Sequence, residues 1–139
     1  MCAMVPSPTP CILVLEDEAG FRALLAEVLG NAGHLVRLAP SAAEAWPLLR
    51  QQNFNMLLLD YRLPGISGLE FLQEFRAAGG QTPVIIMTAY ADVAVVVEAM
   101  RLGAVDFLVK PFEINALLPL VERCMQLQAP PAAGPSQAP

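Results

Sequence analysis

Four short apolar runs in this sequence each give way to polar residues that could do chemistry. Glu16, Asp17 and Glu18 follow Cys11–Leu15, and Asp60 follows Met56–Leu59. Thr88 follows Val84–Met87, and Lys110, the only lysine of the chain, follows Phe107–Val109. Brought together, these groups would form a cluster of carboxylates with a hydroxyl and an ammonium. Two unit charges about 4 Å apart repel by roughly 4 kcal/mol at an effective dielectric near 20, so positive charge must offset the cluster. Oxygen donors of this kind suit Mg²⁺ (or Mn²⁺), which keeps several waters and seeks a phosphate. A divalent ion and a lysine around one carboxylate describe a site that receives a phosphoryl group. The carboxylate is then the nucleophile and an acyl phosphate the product. Positioning and charge neutralisation supply most of the catalysis.

Strand and helix patterns alternate along the chain, and they predict where these groups lie. Cys11–Leu15, Met56–Leu59 and Val84–Met87 are continuous apolar runs of strand length, as expected for strands buried on both faces. Leu35–Leu38 and Phe107–Val109 are weaker and suit the sheet edges. Between them, Phe21, Leu24, Leu25, Val28 and Leu29 follow helical spacing, with Gly30 and Gly33 as stop signals. Ser41–Glu44 and Ser67–Glu70 read as capping boxes. Val93, Val96, Val97 and Met100 read as a core stripe closed by Gly103, which leaves Val95 on the other face as a candidate partner contact. Ile114, Leu117, Leu118, Val121 and Met125 form the last stripe. Pro47 and Pro119 fall inside two of these helices, where a kink or an early break is expected.

The result is a (βα)5 pattern. It implies an α/β, flavodoxin-like doubly wound fold with a five-stranded parallel sheet of order 2-1-3-4-5. Ligands of such sheets bind beyond the carboxyl ends of the strands. Singly, Glu16 and Glu18 read as solvated loop acids, Asp17 and Asp60 as turn or N-cap acids, and Thr88 as a cap. Joint placement at four strand ends is what points to chemistry.

The 139 residues are 55% hydrophobic and 15% charged, with a net charge of −5, which excludes a disordered acidic chain. With seven arginines and one lysine, direct nucleic-acid binding is not expected. Neither a secretory signal nor an apolar run of spanning length is present, so cytoplasmic location without membrane contact is expected. Cys2, Cys11 and Cys124 lack metal-ligand spacing. Prolines gather at Pro6, Pro8 and Pro10 and again from Pro130 to Pro139. The expected division is a disordered tail over residues 1–10, one domain over 11–128, and a Pro/Ala-rich tail or interdomain linker over 129–139.

From about Cys11 to Gln128 the chain resembles the receiver domain of two-component response regulators. The resemblance rests on Ile12–Glu18, Leu58–Gly68, Met87–Tyr90 and Gly103–Phe112, and it is nearest to receivers of the nitrogen-regulation and nitrogen-fixation classes. It implies that Asp60 accepts phosphate from a sensor histidine kinase. It implies that Asp17 and Asp60 ligate Mg²⁺ directly, Glu16 through water, and Arg62 through its backbone carbonyl. Thr88 would hydrogen-bond the phosphoryl group and Lys110 would pair with it. Phe107 stands at the family's aromatic switch position, without the hydroxyl of the more frequent tyrosine. The Lys110–Pro111 bond is expected to be cis. Arg62 and Tyr90 occupy positions that tune dephosphorylation, and here they are expected to shield the acyl phosphate from water. The implied protein is a regulatory switch, not a metabolic enzyme. Its output domain or effector would be outside this chain and concerned with transcription, and a phosphorylation-dependent homodimer is a further implication.

Other function classes fit less well. An aspartyl-phosphate phosphatase needs a second aspartate where Arg62 stands. A nucleotide- or flavin-binding domain needs a glycine- or threonine-rich loop where Glu16–Glu18 stands. A phosphate-independent docking module would not require the Asp60, Thr88 and Lys110 set.

Overall fold

The computed structural model describes residues 10–89 and 93–128. Five strands and five helices alternate. They are β1 (Cys11–Leu15), α1 (Ala19–Asn31), β2 (Leu35–Ala39), α2 (Ala42–Gln51), β3 (Met56–Asp60), α3 (Gly68–Ala77), β4 (Val84–Thr88), α4 (Val93–Arg101), β5 (Asp106–Val109) and α5 (Ile114–Gln128). All five strands are parallel, in the order β2-β1-β3-β4-β5. This is the expected doubly wound topology, with the two weaker strands at the edges. A two-residue ribbon, Arg62–Leu63 against Ile66–Ser67, turns at Gly65 (φ +80°) between β3 and α3.

The central strands β1, β3 and β4 are buried throughout because helices cover both faces. On one face Leu13, Leu15, Leu57, Leu59 and Ile86 meet Ala42 and Ala45 of α2, Phe71, Leu72 and Phe75 of α3, and Ala99 of α4. On the other, Ile12, Val14, Leu58, Ile85 and Met87 meet Leu25 and Leu29 of α1 and Leu117, Val121 and Cys124 of α5. The alternation follows from the period of two along each strand.

Local signals set the helix starts. Ser67 and Glu70 form a reciprocal capping box at 3.1 and 2.9 Å. Ser41 supplies the serine half of such a box, accepting from Glu44 N at 3.3 Å. Pro47 and Pro119 do not end their helices, contrary to one of the two outcomes expected for them: α2 and α5 run through both. Each proline withholds an amide from the carbonyl four residues earlier, at Ala43 and Asn115, and both of those residues are exposed, so water can serve instead.

The valine-rich helix corrects a second expectation. Val93 and Val97, read as core, are 74% and 50% exposed, and Met100 is 44% exposed. Val95 and Val96 are half-buried and Ala99 is buried, so α4 turns that side inward instead, and Leu102, just past its end, packs on the same core. Valines around most of the helix left its rotation ambiguous in the sequence, and in the fold Ala99 is the buried residue of that helix. Leu24 of α1 is likewise 41% exposed instead of buried.

Arg76 ties two loops to α3. It donates from Nε to Leu102 O at 2.8 Å, from Nη1 to Gly80 O and Thr82 O at 3.2 and 2.8 Å, and from Nη2 to Gly103 O at 3.3 Å. The carbonyls just past the end of α4 thereby find a donor. Among the described residues, no helix is long and apolar enough to cross a membrane.

Candidate phosphoryl and metal site

Parallel pairing brings the polar groups that follow β1, β3, β4 and β5 to one edge of the sheet. Asp60 ends β3 and is 4% exposed, in register with Met87 of β4. Thr88 is one residue further along and 1% exposed; its carbonyl accepts from Lys110 N at 2.7 Å. The Lys110 side chain turns back over the edge. Its Nζ lies 3.1 Å from Asp60 Oδ2 and 2.8 Å from Glu16 Oε1, and 5.0 Å from the centroid of the Phe21 ring. The Lys110–Pro111 peptide bond is cis.

Three successive acids take three separate roles. Glu16 is 1% exposed and points inward to Lys110, while its Oε2 accepts from Glu18 N at 3.0 Å. Asp17 is exposed, and its carboxylate joins those of Glu16 and Asp60 in a group whose oxygens lie within 4.8 Å of one another. Glu18 caps α1, accepting from Phe21 N at 2.6 Å and Gly20 N at 3.3 Å; the sequence alone reads it as a solvated loop acid and offers the cap at Asp17 or Asp60 instead.

Asp60 is fixed at both oxygens, since Oδ1 accepts from Arg62 N at 3.1 Å. The Arg62 side chain is exposed, and Tyr90 lies outside the described residues. Gly68, at the start of α3, packs so tightly on this strand end that a Cβ there would overlap the Asp60 carbonyl. Its amide donates to Tyr61 O at 2.6 Å. Phe107 is half-buried on β5, paired with Ile86 and packed on the α2–α4 face of the core.

The electrostatics follow from burial and proximity. Burial raises the Glu16 pKa above the ordinary carboxylate value, against the opposing pull of the Lys110 and Glu18 hydrogen bonds, and Asp60 adds repulsion. Burial alone would lower the Lys110 pKa, but its bonds to Glu16 and Asp60 raise it overall, so the ammonium stays charged. Three carboxylates around one ammonium leave an excess of negative charge facing the solvent through Asp17. An oxygen-only donor set with an exposed carboxylate fits a hard divalent cation that retains waters.

Sequence reasoning did not single out Arg22 or Phe112. Arg22 Nη1 donates to Glu16 O at 2.8 Å and Asp17 O at 3.1 Å. Phe112 meets Phe21 edge to face at 5.7 Å between centroids, walling a cavity of about 410 Å³ beside Lys110. An arginine on a helix and a phenylalanine in a loop after a proline carry no local mark of such a role.

Comparison with known proteins agrees with this geometry. Residues 12–122 match the family described as "Response regulator receiver domain". The chain is 41% identical over 122 residues to the transcriptional regulatory protein FixJ of Bradyrhizobium diazoefficiens, covering 88% of this chain and 59% of FixJ. It is 37% identical over 118 residues to the regulatory protein AtoC of Escherichia coli, covering 85% of this chain and 26% of AtoC. The chain thus spans less than two thirds of the length of either relative. The crystal structure of the receiver domain of NtrX from Brucella abortus superposes with a TM-score of 0.77 at 32% identity, covering 83% of this chain and 98% of that one.

Proposed function

This chain belongs to the response regulator receiver domain family, and from that premise we propose that it is a phospho-accepting switch whose acceptor is Asp60. The observation that carries the proposal is the pairing of Lys110 with both Asp60 and Glu16, beside an Asp17 carboxylate within 4.8 Å. In the proposed reaction an Asp60 oxygen attacks the phosphorus of a phosphohistidine on a sensor histidine kinase. The P–N bond breaks, an acyl phosphate P–O bond forms, and the departing imidazole takes up a proton.

The residues of the chain divide the work. Asp17 and Asp60 would hold Mg²⁺ (or Mn²⁺) directly, Glu16 through water and Arg62 through its carbonyl. The ion supplies charge neutralisation when bound. The Arg62 amide orients Asp60 through Oδ1, and Lys110 is placed to exchange its Asp60 contact for the incoming phosphoryl oxygens. Thr88 would donate to the same group. Phosphorylation adds about −1.5 to −2 charge, which would draw Thr88 and Lys110 together and let Phe107 fill the space vacated. A bias of about 1–3 kcal/mol between two states suffices for signalling. Arg62 and Tyr90 would slow hydrolysis by covering the acyl phosphate.

The unit so described spans residues 11–128, and 129–139 would lead toward an output domain. Similarity to the transcriptional regulatory protein FixJ supports a transcriptional output; a cytoplasmic location and a phosphorylation-dependent homodimer are further parts of the proposal. The role is regulatory, and the chain turns over no metabolite. A phosphate-independent docking module is the weaker reading, because it gives no reason for the paired Lys110 and Asp60. Incubation with acetyl phosphate and Mg²⁺, followed by intact mass, tests the proposal. Wild type is expected to gain one phosphoryl group and Asp60→Asn none; equal labelling of both would overturn it.

A further inference from the structure

The contacts of Arg22 carry a role beyond the residues assigned so far. Arg22 lies in the first turn of α1, an end where the helix dipole favours anions and which the Glu18 carboxylate already caps. It is half-buried, and its Nη1 bonds the two successive carbonyls of Glu16 and Asp17 at 2.8 and 3.1 Å. Both bonds go to main-chain oxygens of the turn between β1 and α1. Drawing those carbonyls toward α1 fixes the peptide planes on either side of Asp17. With the planes fixed, the Glu16 side chain is directed to Lys110 and the Asp17 carboxylate is held beside that of Asp60.

We propose that Arg22 is a positioning residue for the divalent cation, acting through the main chain of the turn that bears Glu16 and Asp17; this rests on the cation site described under the proposed function. Its Nη1 bonds go to main-chain carbonyls and not to the carboxylates that would hold the ion. Lysine could reach one carbonyl as a point charge but would not reproduce the orientation of the guanidinium plane.

The test is Mg²⁺ binding measured by calorimetry on wild type, Arg22→Ala, Arg22→Lys and Asp17→Asn, with hydrogen exchange of residues 17–20 in metal-free buffer. Removing a group that orients a ligand typically weakens metal affinity by 10- to 100-fold, so Arg22→Ala is expected to raise the Mg²⁺ Kd by about tenfold, with partial recovery in Arg22→Lys. Exchange at residues 17–20 is expected to quicken in Arg22→Ala. Arg22→Gln, which keeps a donor and loses the charge, serves the same comparison if the alanine variant does not fold. A Kd within about twofold of wild type in the folded variants, while Asp17→Asn loses binding, overturns the role of Arg22 and leaves the cation site standing. Wild-type affinity in Asp17→Asn overturns the cation site itself, and the role of Arg22 with it.

Discussion

Glu16 and Asp60, from the ends of the adjacent strands β1 and β3, share the ammonium of Lys110 at 2.8 and 3.1 Å. Both carboxylates are buried and the lysine side chain is 23% exposed, so the three-membered network is held largely out of water. Low local dielectric strengthens each contact and makes an unpaired member costly. With Asp17 nearby, the network carries more negative charge than Lys110 can balance, and the stability of the protein is thereby coupled to cation binding.

Asp17→Asn should therefore act in opposite directions with and without metal. In chelator, loss of one of three clustered carboxylates relieves repulsion, and stability is expected to rise by about 1 kcal/mol after allowance for solvent screening at an exposed residue. With Mg²⁺ at a hundredfold excess over its Kd, wild type gains about 2.7 kcal/mol by linkage and the variant gains little. Urea denaturation in the two buffers reads both effects, and the same order of stability in each would contradict the cation site.

Gly68→Ala tests how closely α3 must approach the acceptor strand. The added Cβ overlaps the Asp60 carbonyl, so the start of α3 or the end of β3 must shift. Overpacking of this kind costs about 1–3 kcal/mol. Chemical denaturation should show that loss. Labelling by acetyl phosphate should slow as well, because the displaced backbone carries the acceptor.

Cys124 gives a pH dependence of known sign. Burial pushes its thiol up to about 11, against a weaker opposing effect of Arg123. A raised thiol pKa means that the folded state keeps its proton longer than the unfolded chain. The contribution to stability is fully present below about pH 9 and is lost as pH rises toward about 11, amounting to roughly 2 kcal/mol. Unfolding midpoints across this range should fall more steeply for wild type than for Cys124→Ala. Native Cys124 should also resist iodoacetamide at pH 8, because the thiolate is the nucleophile.

Much of this protein was determined by local sequence. Apolar runs of strand length alternate with helical spacing, and that alternation alone requires a parallel sheet with helices on both faces. Parallel strands have all their carboxyl ends on one edge, so Glu16, Asp17, Asp60, Thr88 and Lys110 had to converge once the strands formed. Tertiary structure decided what depends on the rotation of an element or on contacts across long sequence separations. The outward face of α4 at Val93 and Val97 was hidden because nearly every face of that helix carries an apolar residue. The division of labour among Glu16, Asp17 and Glu18 was hidden because three consecutive acids look alike until a turn aims them differently. Arg22 and Arg76 look like ordinary helix-surface residues, and only folding shows that their partners are backbone carbonyls, which every residue has and no sequence pattern marks.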